Sequence, residues 1–168
     1  MKQHIIIDGY VQPKERPRFW NGEAHTADKT RSYEAYVKNY CYKEHIQRMT
    51  GPIAVIIKIK KKVTHPKRYN RFKATRPDID NLIKSVLDGL NGVAYQDDGQ
   101  IVMLHAQKEY SDHDCVEIMI MNIHTPDDLE DYLDEIQDIL VYENNDDFYA
   151  TEEYVKPEVQ TDEQILHS

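Results

Sequence analysis

Residues 76–92 read RPDIDNLIKSVLDGLNG. Ile79, Leu82, Ile83, Val86, Leu87 and Leu90 recur at helical spacing and form a broad apolar face, so a helix is expected over about 79–91. The Asn91-Gly92 pair stops it. Upstream, IAVIIKIKKKVTH reads as a strand over 53–64, apolar at first and then alternating with lysines. Downstream, GQIVMLHAQKEYSDHDCVEIMIMNI gives two strands, 100–110 and 114–123, joined at SDHD as an expected hairpin. The helix therefore sits between strands, and the chain on either side completes the pattern.

QHIIIDGYV opens with a β-branched run, a strand over about 3–11. QPKERPRFWNGEAHTADKT carries two prolines and an Asn-Gly pair and reads as an extended loop or hairpin. A helix is expected over 29–48, where Tyr33, Tyr36, Val37, Tyr40 and Cys41 fall on one stripe whose simplest role is core packing. TPDDLEDYLDEIQDILVYE predicts an acidic amphipathic helix over 126–141, with Pro126, Asp127 and Asp128 suited to its positive end. Beyond Asn144 the chain is acidic and poor in apolar residues, the composition of a loosely attached tail. The order β, α, β, α, β, β, α indicates an α+β fold: one domain over 1–123 with a small mixed sheet flanked by helices, then an acidic helix and tail over 124–168.

The net charge of −9 conceals two opposite halves. Residues 124–168 carry 15 Asp and Glu against one Lys, while residues 1–123 carry 20 Lys and Arg against 15 acids. A basic body suits a polyanionic partner, and a block of like charge is usually solvated. The longest apolar run, IAVII at 53–57, is strand-sized and far short of a membrane span. MKQHIIIDGY meets an Asp-Gly pair before a signal-peptide core can form, so a cytoplasmic protein without membrane attachment is expected. Cys41 and Cys115 have no metal-ligand spacing and are expected as free thiols, and the eight histidines are scattered.

Asp78 and Asp80 open the central helix, and each has a bland explanation. Asp78 suits an N-cap. Asp80, Lys84 and Asp88 share a face at i,i+4 spacing, where ion pairs are worth only about 0.2–0.5 kcal/mol each. Equally, Lys84 would be a fixed positive charge beside two carboxylates, able to meet a phosphate. Asp97 and Asp98 in YQDDGQI read as a turn, or as further oxygen ligands. An EF-hand is excluded, since counting from Asp78 its sixth position, where glycine is required, is Ile83. Hard oxygen ligands without His or Cys suit Mg²⁺ or Mn²⁺ and a phosphate-bearing substrate.

RPDIDNLIKSVLDGLNGVAYQDDGQI resembles the signature of the RusA family of Holliday junction resolvases: Asp-x-Asp-Asn, then Lys, Asp, and an Asp-Asp pair before a strand. PKERPRF, Tyr33 and the basic loop before Asp78 fit as well, and the resemblance covers about residues 4–122. It implies a homodimeric, Mg²⁺-dependent endonuclease of recombination and repair that makes paired symmetric nicks across branched DNA, the four-way junction. A phage or prophage setting would be in keeping. By position, Asp78, Asp80 and Asp98 match the family's metal ligands and Lys84 its helix lysine. Asp97 is an additional candidate ligand, and Asp88 matches a recurrent position that ion pairing would explain equally well.

DNA contacts are expected from Lys14, Arg16, Arg18, Lys67, Arg68, Arg71, Lys73 and Arg76, and from Lys58 to Lys62, where a solvated strand face is the plainer alternative. Phe19 and Trp20 either stack on bases or fold onto the core. Two other readings stay open: a non-catalytic binder of branched DNA, and a metal-dependent nuclease acting on other nucleic acids.

Overall fold

The computed structural model describes residues 1–15, 18–20, 23–25, 27–63 and 72–141. The chain divides into two compact units, Met1–Ile136 and Gln137–Ser168. Of the second, only residues 137–141 are among those described. The tail expected beyond Asn144 lies outside the described residues.

The described strands are β1 (Lys2–Asp8), β2 (Arg18–Trp20), β3 (Glu23–His25), β4 (Ile53–Lys62), β5 (Ile101–Ser111) and β6 (Cys115–Asn122). The described helices are α1 (Asp28–Lys43), α2 (Ile79–Leu90) and α3 (Pro126–Val141), with a 3-10 turn at Asp98–Gln100. Four strands form one mixed sheet in the order β1-β6-β4-β5, in which only the β4–β5 pair is parallel. This is the α+β arrangement expected, with α2 as the crossover between its two parallel strands. β2 and β3 pair separately as an antiparallel ribbon, one of the two forms expected of that segment.

The expected hairpin between β5 and β6 does not form, because β4 lies between them. Ile53, Ala54, Val55, Ile56 and Ile57 are all buried, so both faces of β4 are covered. A strand that is apolar on both faces belongs in the middle of a sheet. β5 instead leaves Val102 and Leu104 exposed and takes the edge. The SDHD link then crosses the end of β4 and caps it. Val63 N–H donates to the Ser111 carbonyl (2.9 Å), Lys62 N–H to Asp114 Oδ1 (2.8 Å), and Lys61 pairs with the same carboxylate at 3.0 Å.

The first helix is shorter than the expected 29–48. It ends at Lys43, with His45 in the left-handed region at φ 53°. Ile46 N–H reaches the Cys41 carbonyl and His45 N–H the Tyr42 carbonyl, the paired bonds of a Schellman ending. Glycine usually signals this motif, and here a histidine occupies its place. Gln3 then holds Gln47 through both its main-chain groups, and the segment after it bridges to Tyr95, Met49 N–H donating to the Ala94 carbonyl at 2.8 Å. The buried stripe of α1 is Thr30, Tyr33, Val37 and Cys41; Tyr36 is 45% exposed and donates to the Asp8 carbonyl. Both cysteines are free and buried, and burial pushes the Cys41 thiol up to about 11.

The core joins one sheet face to α1 and α2 through Ile5, Ile7, Val37, Val55, Ile57, Val86, Leu90 and Ile118. A Cβ at Gly89 would stand 2.7 Å from the Val37 Cβ, so the two helices meet there at glycine distance. That contact fixes how α2 lies, and with it the place where Asp78 and Asp80 emerge. α3 begins with a reciprocal cap between Thr125 and Asp128, and within the first unit Lys2 pairs with Glu135. Among the described residues no helix is long and apolar enough to cross a membrane.

Candidate active site

The start of α2 is held from two sides. A strap over residues 72–77 runs beside β5: Phe72 bridges to Glu109, and Lys73 N–H donates to the Lys108 carbonyl at 3.0 Å. From the other side, Lys14 N–H donates to the Asn81 carbonyl at 2.8 Å. Asp78 follows the strap as the N-cap residue of α2, in extended conformation. Its carbonyl accepts from Leu82 N–H at 3.3 Å, yet its exposed carboxylate makes no capping bond. Asp80, in the first turn, is also exposed, and its only hydrogen bond among the described residues is a long one from Asn81 Nδ2, 3.3 Å. The cap explanation thus accounts for the place of Asp78 but leaves its oxygens unused.

Of the expected Asp80–Lys84–Asp88 ladder, only the second rung is present. Lys84 lies 3.6 Å from Asp88, with 61% of its side chain exposed. Asp88 is held more closely by Lys14 at 2.6 Å, and Lys14 also pairs with Glu34 at 2.5 Å. Burial alone would lower the Lys14 pKa, but the two carboxylates outweigh it and raise the ammonium above its ordinary value. This triad ties the N-terminal segment to α1 and α2 and leaves Lys84 the looser partner.

After α2 the chain passes through Tyr95, which is fully buried and donates to the Leu87 carbonyl at 2.8 Å. Burial, then the negative field of Asp98, Asp88 and Asp97, raises its pKa and keeps the phenol neutral. Asp97 caps the 3-10 turn: it accepts from Gly99 N–H at 2.8 Å, while Gln100 Oε1 accepts from the main-chain N–H of Gln96 and Asp97. A Cβ at Gly99 would stand 2.9 Å from Asp97 Oδ1, so a side chain there would push the capping carboxylate aside. Asp98, beside it, is exposed and outside these bonds. The adjacent aspartates therefore differ: one holds the turn and the other is presented by it. Asp-Asp-Gly made the turn legible in the sequence; the capping box between Asp97 and Gln100 that holds it was not read there.

Among the described residues, no group of three or more His, Cys, Asp or Glu stands close enough to hold a metal ion. Asp78, Asp80 and Asp98 are therefore not assembled into a three-ligand centre. Their chemistry still suits a hard cation, since all three are exposed carboxylates outside any ion pair among the described residues. Mg²⁺ commonly takes only one or two carboxylates and fills its other positions with water and substrate phosphate oxygens.

Of the expected DNA contacts, Arg16, Lys67, Arg68 and Arg71 lie outside the described residues, and Arg18 is placed only as part of β2. Arg76 is exposed at the end of the strap. The Lys73 ammonium donates to the Thr75 and Arg76 carbonyls and to Thr75 Oγ1. Burial, then the charges of Lys108 and Lys61 against the opposing effect of Tyr110, lowers its pKa. A DNA contact by Lys14 or Lys73 would require its ammonium to leave or share these partners. On β4, Lys60 pairs with Glu117 at 2.5 Å, and Lys61 pairs with Asp114 and lies 4.5 Å above the Tyr10 ring. Lys62 is exposed.

Sequence reasoning missed Lys108, whose Nζ donates to the Thr75 carbonyl (2.7 Å) and the Pro77 carbonyl (2.6 Å) immediately before Asp78. Nothing local in AQKEY marks it, because its partners are some thirty residues away.

The model of one protein family, Endodeoxyribonuclease RusA, matches residues 8–121 and so spans Asp78, Asp80, Asp88, Asp97 and Asp98. The chain is 33% identical over 139 residues to an uncharacterized protein of Bacillus subtilis (strain 168), YqaN, covering 73% of this chain and 96% of that one. It is 37% identical over 62 residues to a crossover junction endodeoxyribonuclease rusA of Lactococcus phage r1t, covering 36% of this chain and 47% of the phage protein. On the extent of the family match, the chain belongs to the RusA family of endodeoxyribonucleases.

Proposed function

We propose that this protein is a Mg²⁺-dependent endonuclease, with Mn²⁺ as a working substitute, that resolves four-way DNA junctions by paired symmetric nicks. The reading makes it a cytoplasmic homodimer of recombination and repair, encoded by a bacterium or its phage, with residues 1–123 as the nuclease domain and 124–168 as an acidic appendage. The observation that carries it is the exposed carboxylate of Asp78 at the head of α2, which makes no capping bond and lies inside the family match. A residue kept only as a cap would turn its oxygens onto the helix N–H groups.

In this reading Asp78, Asp80 and Asp98 hold the metal when DNA is bound. The ion supplies an activated water and neutralises charge at phosphorus. Lys84, exposed and loosely paired, reaches the scissile phosphate. Asp97 keeps Asp98 in place through the turn. Arg76 and the basic residues of the strap and the N-terminal segment position the DNA backbone without reading its sequence. The lack of a preassembled three-carboxylate group among the described residues favours one competing reading, a non-catalytic binder of branched DNA.

A synthetic four-way junction, a linear duplex and single-stranded RNA, each offered with Mg²⁺ or with EDTA, separate the possibilities. The expected result is metal-dependent nicking of the junction alone, reduced about 100-fold or more by Asp80→Asn. Tight junction binding without any metal-dependent nicking would identify a binder instead.

A further inference from the structure

We propose that Lys108 is a positioning residue: its ammonium, together with that of Lys73, fixes the loop from which Asp78 and Asp80 emerge and so sets their affinity for a divalent ion. The inference rests on the reading of those aspartates as metal ligands. It goes beyond that reading by assigning a role to a residue on β5 that no ligand pattern includes.

Three consecutive carbonyls, those of Thr75, Arg76 and Pro77, all accept from lysine ammoniums. Lys108 donates to the first and third, and Lys73 to the first two. Ala74, Thr75 and Arg76 are exposed, so apolar packing does little to order this loop. The ladder to β5 is described only at Phe72 and Lys73. Between that last rung and the first turn of α2, the Lys108 ammonium supplies the long-range restraint and that of Lys73 a local one, two and three residues along the strap. Charge-assisted bonds of this kind are about twice as strong as neutral ones. Lys108 is the better anchor of the pair, because its own backbone is fixed in the sheet through register with Ile59. Lys73 belongs to the strap it restrains.

Lys108, Lys73 and Pro77 also border a small cavity shared with Tyr10, Val11, Ile59 and Leu82. Truncation at position 108 would enlarge it, so Lys108→Met, which keeps the stem and removes the charge, is the informative change. Lys108→Arg restores charge and donors.

The test uses the full chain and reads Mn²⁺ affinity by electron paramagnetic resonance, amide exchange across residues 75–81, and thermal unfolding, with junction binding and nicking in parallel. Lys108→Met should unfold cooperatively, weaken Mn²⁺ binding about 10-fold and speed exchange of the 75–81 amides, while junction affinity stays within about 2-fold. Lys108→Arg should recover most of the Mn²⁺ affinity. Lys73→Met should shift the same readouts in the same direction by less, and it decides the matter if Lys108→Met does not fold. Unchanged Mn²⁺ affinity and exchange would overturn the proposal. So would weaker junction binding with unaltered Mn²⁺ affinity, which would make Lys108 a phosphate contact. Should the native chain nick no junction, the nuclease reading falls, while the Mn²⁺ and exchange measurements still decide the role of Lys108.

Discussion

The functional distinction at the residue scale is between carboxylates that hold the protein and carboxylates that remain available. Asp88 is fixed by Lys14, and Asp97 by Gly99 N–H. Asp78, Asp80 and Asp98 are exposed and carry no ion pair among the described residues. Lys84 stands between these groups, on the same face as Asp88 but 3.6 Å from it. An exposed pair of that kind contributes roughly 0–1 kcal/mol, so removing it has little effect on stability. Lys84→Met should therefore unfold within about 4 °C of the native chain, the shift that allowance permits, and bind junction DNA about as well, yet lose nicking by about 100-fold or more. Full nicking by this variant, measured alongside its unfolding temperature, would return Lys84 to the status of a surface ion pair.

At the scale of elements, periodicity revealed the described helices and the four strands of the main sheet but not how they are joined. The apolar run of β4 showed a buried strand, and its burial on both faces gave it the sheet centre. The nearness of β5 and β6 in the sequence suggested a hairpin, because local adjacency is the only pairing signal a short polar link carries. The deciding interaction is tertiary: Asp114 caps the end of β4 through Lys62 N–H and Lys61. Burial works against the ionised carboxyl there, but those two partners outweigh it and hold Asp114 below the usual carboxylate range. A depressed carboxylate stabilises the fold above its unfolded pKa of about 3.9 and loses that contribution as pH falls through the lower folded value. Asp114→Ala should cost about 1–3 kcal/mol in urea unfolding at neutral pH. The difference should shrink below about pH 4, and an equal difference at pH 7 and pH 3 would assign the effect to packing. The end of α1 was hidden for a related reason, since His45 takes the left-handed place that glycine usually marks.

In the molecule as a whole, four strands form the main sheet, and the strap and the N-terminal segment are held at the head of α2, where the proposed chemistry begins. The ligand candidates were legible because aspartates two residues apart, a lysine one turn later and an Asp-Asp-Gly turn are local patterns. Their supports were not. Lys14 reaches Asp88 and Glu34, and Lys108 reaches the strap, only after the chain has folded. The central claim is that these free carboxylates serve a metal-dependent cut in branched DNA, made twice by a symmetric pair of subunits. The most direct test is strand-by-strand mapping of products from an end-labelled four-way junction incubated with the native chain and Mg²⁺. The account predicts nicks at symmetric positions in two strands of like polarity, absent in EDTA and absent from linear duplex of the same sequence. Cleavage in EDTA, or equal cleavage of the linear duplex, would contradict it.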